Sequence, residues 1–342
     1  MNKRIYFFMK KNRVITPVED ESLQLEAKEL LELLMANKEI SLPARYRIPE
    51  ACVALYSPKG ELKNANAIII QGDDGAYNLD NRLNDLDGKS WTKFTCSWFI
   101  FNALASDLKE EREITASTQD HPATFSPTMI SSFIEFFTKE GMNVFDPFCG
   151  IGTTLVAARR TRRQGYGIEL NQKYFDIAQK RVPEFSKNLH NASSEHLDSI
   201  EMPLQDFSIS SPPYWNVLNR STRDFHHERD RRGLDKTYSD KETDLGNIDD
   251  YDEFIRRLCD IYVKMNKFLR PKAYIVIILK NVKRDGKFYP LAWDVASELS
   301  KTYEIKDEKI WIQDKIGLAP YGYPYSWVSN ILHHYCLIFQ KN

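Results

Sequence analysis

The chain has 342 residues, with 47 Lys and Arg against 48 Asp and Glu for a net charge of -1, and it is 42% hydrophobic and 28% charged. That balance excludes collagen-like, disordered and disulfide-scaffold classes, and the length gives a soft prior of about two domains. No apolar run approaches the roughly 18 residues of a membrane helix, and the basic start at Met1 to Lys10 is too short for a secretory signal. The five cysteines are scattered and never spaced as C-x-x-C, so a reduced, cytoplasmic protein with no metal and no membrane partner is expected. The near-zero net charge rules out a histone-like coat but not a nucleic-acid enzyme, for which local charge is what counts.

In chain order, leucines at 23, 25, 30, 31, 33 and 34 predict an amphipathic helix. Ala51 to Tyr56 and Ala67 to Ile70 read as strands, the first followed by the turn Ser57-Pro58-Lys59-Gly60. The polar stretch Ala105 to Asp120 is a linker, which sets a smaller N-terminal α+β region at 1–105 against a main domain at 106–342. Beyond it strands and helices alternate. Strands are predicted at Asn143 to Asp146, Tyr166 to Glu169, Phe207 to Ser210 and Ala273 to Leu279, with helices at Met129 to Phe137, Thr153 to Arg163, Asn171 to Arg181, Tyr251 to Leu269 and Leu291 to Ser300. Two last strands, around Lys309 to Ile312 and at Tyr335 to Phe339, have no helix between them and are expected as an antiparallel hairpin at the sheet edge. The fold class is α/β, a mostly parallel sheet with helices on both faces.

Two places carry chemistry. Asp146-Pro147-Phe148-Cys149-Gly150-Ile151-Gly152-Thr153-Thr154 falls where the first strand turns into a helix, so glycines permit close approach and helix amides face an anionic or polar ligand. No Lys follows the glycines, which excludes a P-loop, and G-x-G-x-x-G is absent. Glu169 ends the next strand, where an acid binds ribose hydroxyls, so an adenosine is the implied ligand. The second place is Ser211-Pro212-Pro213-Tyr214-Trp215, directly after a strand. Its prolines lack N–H groups, leaving carbonyls free to meet a donor, and Tyr214 offers a flat face, an arrangement suited to a nucleobase amine.

These two segments resemble the cofactor and catalytic motifs of DNA amino-methyltransferases, which methylate exocyclic amines of cytosine or adenine with S-adenosylmethionine. His121-Pro122-Ala123 with Phe125 is similar to the segment that binds the methionine end of that cofactor in the family. The resemblance covers roughly Trp91 to Asn342 and implies a Rossmann-like methyltransferase fold with a seven-stranded sheet. It further implies that Asp146 and the loop Phe148 to Gly152, with Gly150, wrap the cofactor. Thr153, Thr154, His121 and Pro122 would hold its methionine part and Glu169 its ribose. Asn191 stands where an acidic residue often meets the adenine edge. Ser211 and the Pro212 carbonyl would accept hydrogen bonds from the target amine, Pro213 would stiffen the loop, and Tyr214 would stack on the extruded base. Ser at 211 favours cytosine N4 over adenine N6 in this family.

The implied partner is double-stranded DNA, in a modification system whose candidate second component is a cognate restriction endonuclease. DNA contacts are expected from Trp215 and from Arg220, Arg223, Arg231 and Arg232 in the charged loop 216–250. The region 1–105 is either a target-recognition or an accessory element. An RNA amine methyltransferase and an inactive DNA-binding relic stand as alternatives. Cys149 is expected to be a packed residue, Arg159 to Arg163 a structural helix end, and His333 and His334 not a metal site.

Overall fold

The computed structural model describes residues 81–101, 125–215, 244–284, 286–313 and 317–342, and the backbone of four strands before them. The predicted helix at 23–35, the strand at 51–56, the linker at 105–120, His121, Pro122, Arg220, Arg223, Arg231 and Arg232 lie outside the described residues.

The chain forms two compact units, residues 1–96 with 135–140, and residues 97–134 with 141–342. In the first, strands β1 (Ile5–Met9), β2 (Ile15–Pro17), β3 (Ile68–Gly72) and β4 (Gly75–Asn78) form a sheet ordered β2-β1-β3-β4. Its helix α1 (Gly88–Phe94) starts at Asp87, whose Oδ1 accepts from the Lys89 and Ser90 amides at 2.8 and 2.9 Å. Phe94 stacks on Phe136 at 4.2 Å between ring centroids, and Asn84 Nδ2 donates to the Phe136 carbonyl at 2.7 Å.

The second unit carries the sheet that the alternation predicts. Strand β5 is Trp98–Ile100, and helix α2 is Pro127–Phe137, its last three residues grouped with the first unit. There follow β6 (Asn143–Asp146), α3 (Thr153–Arg160), β7 (Gln164–Glu169), α4 (Gln172–Arg181), β8 (Leu189–Asn191) and β9 (Gln205–Ser210). After residue 244 come α5 (Tyr251–Met265), β10 (Leu269–Leu279), the hairpin β11 (Val282–Arg284) and β12 (Lys287–Tyr289), α6 (Leu291–Leu299), β13 (Glu304–Ile312) and β14 (His333–Gln340). The sheet order is β5-β13-β14-β10-β9-β6-β7-β8, eight strands rather than seven. The extra strand, β5, pairs parallel with β13 and belongs to the second unit.

The closing antiparallel pair forms as expected, with the three-residue β5 outside it against β13. Strand β14 is inserted between β10 and β13, antiparallel to both. Its run Cys336–Phe339 is buried throughout, and a strand apolar on both faces needs neighbours on both sides. Helix α5 buries Phe254, Leu258, Ile261, Tyr262 and Met265 on one stripe against this sheet. The Tyr262 hydroxyl meets Ser210 Oγ at 2.7 Å, and Tyr303 OH donates to the Tyr262 carbonyl at 2.6 Å, so the polar atoms carried into this layer are paired.

Candidate active site

One pocket gathers both chemical segments. It is lined by Asp146, Phe148, Gly150, Thr153, Thr154 and Glu169 from the β6–α3 turn and the end of β7, and by Ser211, Pro212, Pro213 and Tyr214 from the end of β9. Phe125, Ser193, Ser194, Glu195 and Asp244 complete its walls. Parallel pairing of β6 with β7 and with β9 puts these strand ends at the same carboxyl edge of the sheet.

The glycine turn is built from short backbone distances. Gly150 and Gly152 have φ of 52° and 83°, and a Cβ on Gly152 would stand 3.0 Å from the Ala178 Cβ. Gly167 in β7 lets Cys149 pack beneath it, since a Cβ there would meet Cys149 Sγ at 3.0 Å. Burial pushes the Cys149 thiol well up, so it is a packing residue and not a nucleophile.

Both pocket acids are tied to the chain. Asp146 Oδ1 accepts from the Phe148 amide at 2.9 Å and Oδ2 from Thr154 Oγ1 at 2.5 Å. Glu169 Oε2 accepts from the Gly150 amide at 2.8 Å and Oε1 from the Asn171 amide at 2.7 Å. Burial raises both carboxyls to about 7, although these hydrogen bonds pull the other way. Thr154, expected at the ligand, therefore spends its hydroxyl on orienting Asp146. The far wall is fixed by the bidentate pair of Arg257 with Glu195, at 2.6 and 2.7 Å, and by Ser194 Oγ donating to the Pro147 carbonyl.

Two expectations are corrected. Asn191 is exposed and off the pocket: its Nδ2 donates to the Glu169 carbonyl at 2.9 Å, locking β8 to β7, while Ser193 and Ser194 supply the wall it was expected to form. Trp215, expected to contact DNA, is only 3% exposed and faces inward. It packs on Tyr289 and Tyr251 at 4.6 and 5.0 Å, lies under the Arg284 guanidinium at 4.3 Å, and donates Nε1 to the Asp249 carbonyl at 3.2 Å. An indole with all of these neighbours anchors the base of the Ser211–Tyr214 loop.

A row of rings links the motif residue Phe125 to Tyr214 through Trp311 and His334, which no sequence motif includes. Phe125 lies 5.4 Å from Trp311, Trp311 stacks on His334 at 4.5 Å, and His334 stands 6.1 Å from Tyr214. Trp311 and His334 are cross-strand partners in the β13–β14 register, and no local sequence pattern announces that pairing. Burial holds His334 neutral, at about 3, and its Nδ1 and the Trp311 Nε1 are buried without a hydrogen-bond partner. Among the described residues no group of three His, Cys, Asp or Glu could hold a metal ion, and no helix is long and apolar enough to cross a membrane.

A doubly covered α/β sheet with a glycine turn, a ribose-type acid and a proline-stiffened loop at one carboxyl edge is the architecture of a Rossmann-like methyltransferase. The sequence matches the DNA methylase family over residues 8–180, more than half of the chain, and the protein belongs to that family. It is 47% identical over 62 residues to the type II methyltransferase M.Cfr9I of Citrobacter freundii, a stretch that is 18% of this chain and 21% of that protein. It is 38% identical over 65 residues to the orphan methyltransferase M.BamHII of Bacillus amyloliquefaciens, covering 19% and 24% of the two chains. The alignments thus span about a quarter or less of those relatives' own length. Among solved structures, TrmN from Thermus thermophilus superposes with a TM-score of 0.44 at 12% identity, over 82% of this chain and 62% of that one.

Proposed function

We propose that the protein transfers a methyl group from S-adenosylmethionine to an exocyclic base amine of double-stranded DNA, with cytosine N4 as the acceptor. The observation that supports this most is the meeting of the glycine turn, Glu169 and the Ser211–Tyr214 loop in one pocket. The residues fit the cofactor. Each Glu169 oxygen accepts a single backbone hydrogen bond, which leaves acceptor capacity toward the pocket for the two hydroxyls of a ribose. Thr153 and the first amides of α3 face the polar end, and no side chain caps that helix. The bound cofactor supplies an electrophilic methyl on a sulfonium.

The chain supplies position and hydrogen-bond acceptors. A base amine is a poor nucleophile because its lone pair is delocalised into the ring. Ser211 Oγ directs its own proton at Tyr214 OH, 3.4 Å away, so its lone pairs are open to an amine N–H. The Pro212 carbonyl is a second acceptor whose orientation the two prolines fix. Two such acceptors favour a pyramidal nitrogen with its lone pair aimed at the methyl, and catalysis then comes from orientation and electrostatics, with no covalent enzyme intermediate. Tyr214, backed by His334, offers its face to the base.

The test is labelled methyl transfer to duplex DNA and to RNA, followed by nucleoside analysis. N4-methylcytosine in DNA, formed roughly 100-fold more slowly with Ser211→Ala, is the expected result. N6-methyladenine alone would reverse the choice of base, and label in RNA only would reverse the choice of substrate.

A further inference from the structure

The sheet topology brings a second element to the edge that carries the pocket. Strand β10 is parallel to β9, and β14 is antiparallel to β10, so β14 begins at that edge. Strand β13 is antiparallel to β14, so it ends there. The segment between them, described over 317–332, therefore leaves and rejoins the sheet beside Ser211–Trp215. It is also fastened to the catalytic loop's support: Lys283 Nζ donates to Ser329 O at 2.6 Å and to Ser329 Oγ at 2.8 Å, and Lys283 belongs to the hairpin whose Arg284 and Tyr289 hold Trp215.

This loop has a specified shape. Asn330 closes it, its Oδ1 accepting from the Ala319 amide at 3.0 Å and its Nδ2 donating to the Ala319 carbonyl at 2.9 Å. The Gly322 carbonyl accepts from the Tyr325 and Ser326 amides, both at 2.8 Å. Gly322 has φ of +79°, and a Cβ there would stand 2.5 Å from Ser326 O. A turn this constrained presents Tyr323, Tyr325 and Trp327 to solvent at 81%, 94% and 88% exposure. Rings held outward in water by a closed backbone mark an interaction surface.

The charge says which partner. From Gly317 to Cys336 there is no Asp or Glu and no Lys or Arg, while the clamping hairpin carries Lys283, Arg284 and Lys287 against Asp285. Aromatic faces without acid, beside a hairpin of net positive charge at the edge that carries the pocket, suit a polyanion with stackable rings, which is a nucleic acid. We propose that Tyr323, Tyr325 and Trp327 form a stacking surface for DNA opened at the target base, covering bases that lose a neighbour when that base is extruded. This rests on DNA being the substrate, but it assigns these rings a binding role separate from methyl transfer.

The experiment uses the full chain and labelled duplexes of mixed sequence, fully paired or with a single mismatch, since a mismatched base is the easier one to extrude. Replacing Tyr323, Tyr325 and Trp327 together with Ala is expected to weaken mismatch binding by about tenfold or more and to erase the preference over paired duplex. The salt dependence should be unchanged, because no phosphate contact is removed, and cofactor affinity should stay that of the parent. The milder Trp327→Phe should keep affinity while losing the part of the tryptophan quenching that DNA causes in the parent. Unaltered affinity with no quenching at Trp327 would overturn the proposal. So would tighter binding of single-stranded RNA, or self-association that the triple variant abolishes. If the parent transfers no methyl yet the variant loses DNA, the surface stands and the methylase activity falls. If the parent methylates DNA and the triple variant binds it undiminished, the methylase activity stands and the surface falls.

Discussion

The two ends of the pocket are finished to different degrees. At the glycine turn the polar side chains are tied back into the chain: Asp146 to Phe148 and Thr154, Glu169 to Gly150 and Asn171, Glu195 to Arg257. At the Tyr214 end the Ser211 hydroxyl has only a 3.4 Å partner, and the Trp311 Nε1 and His334 Nδ1 are buried with none. The first end is preorganised for a ligand of fixed chemistry. The second leaves the Ser211 hydroxyl, which lines the pocket beside the Tyr214 ring, with acceptor capacity that a substrate's polar edge can use.

The contrast can be broken or sharpened at several places. The largest expected effect is at Trp215, whose burial beneath Arg284 makes it part of the scaffold. Trp215→Ala should destabilise the fold by about 3–5 kcal/mol in chemical denaturation, with Trp215→Phe much milder. Weakened DNA binding at full stability would return Trp215 to the DNA surface. Next comes Ser211→Ala, expected to lower methyl transfer by roughly 100-fold with cofactor affinity retained in calorimetry. Equal loss of cofactor binding would show that the two ends are not separable. Gly152→Ala tests the preorganised end, where a left-handed φ and the Ala178 contact should cost about 1–3 kcal/mol and weaken cofactor binding. Intact affinity there would mean the turn can relax.

A further effect is a pH slope. Asp146 and Glu169 ionise near 7 when folded, against ordinary values of 3.8 and 4.5. Between those limits the folded chain holds more protons than the unfolded one, so their contribution to stability is largest in acid, falls as pH rises toward about 7, and is flat above. Denaturation of the parent and of Glu169→Gln across that range should show the parent losing ground with rising pH. A difference independent of pH would place the Glu169 titration elsewhere.

Much of the cofactor end was legible in the sequence, because its residues are close in the chain. Asn143–Asp146 is observed with the predicted bounds, and the glycines with Glu169 fall on one βαβ unit, where position along the chain nearly dictates position in space. The other end was not, for topological reasons. Phe125, Trp311, His334 and Tyr214 meet only through strand order and register, and the closing hairpin is expected at the edge because β5, which pairs outside β13, has only three residues to announce it. Three-residue strands such as β5 and β8 are too short to show alternation. The setting of Trp215 is not legible because its place beside Tyr214 says nothing of which way the indole turns, and its inward partners Tyr251, Tyr289 and Arg284 follow more than thirty residues later.

Single-molecule sequencing of DNA from cells expressing this chain, beside cells expressing Ser211→Ala, tests most directly whether the joined pocket is a DNA amine methylase. A modified cytosine in a recurring sequence, present with the parent and strongly reduced with the variant, is the predicted result. Unmodified DNA in cells where the parent is well expressed and binds the cofactor would contradict it.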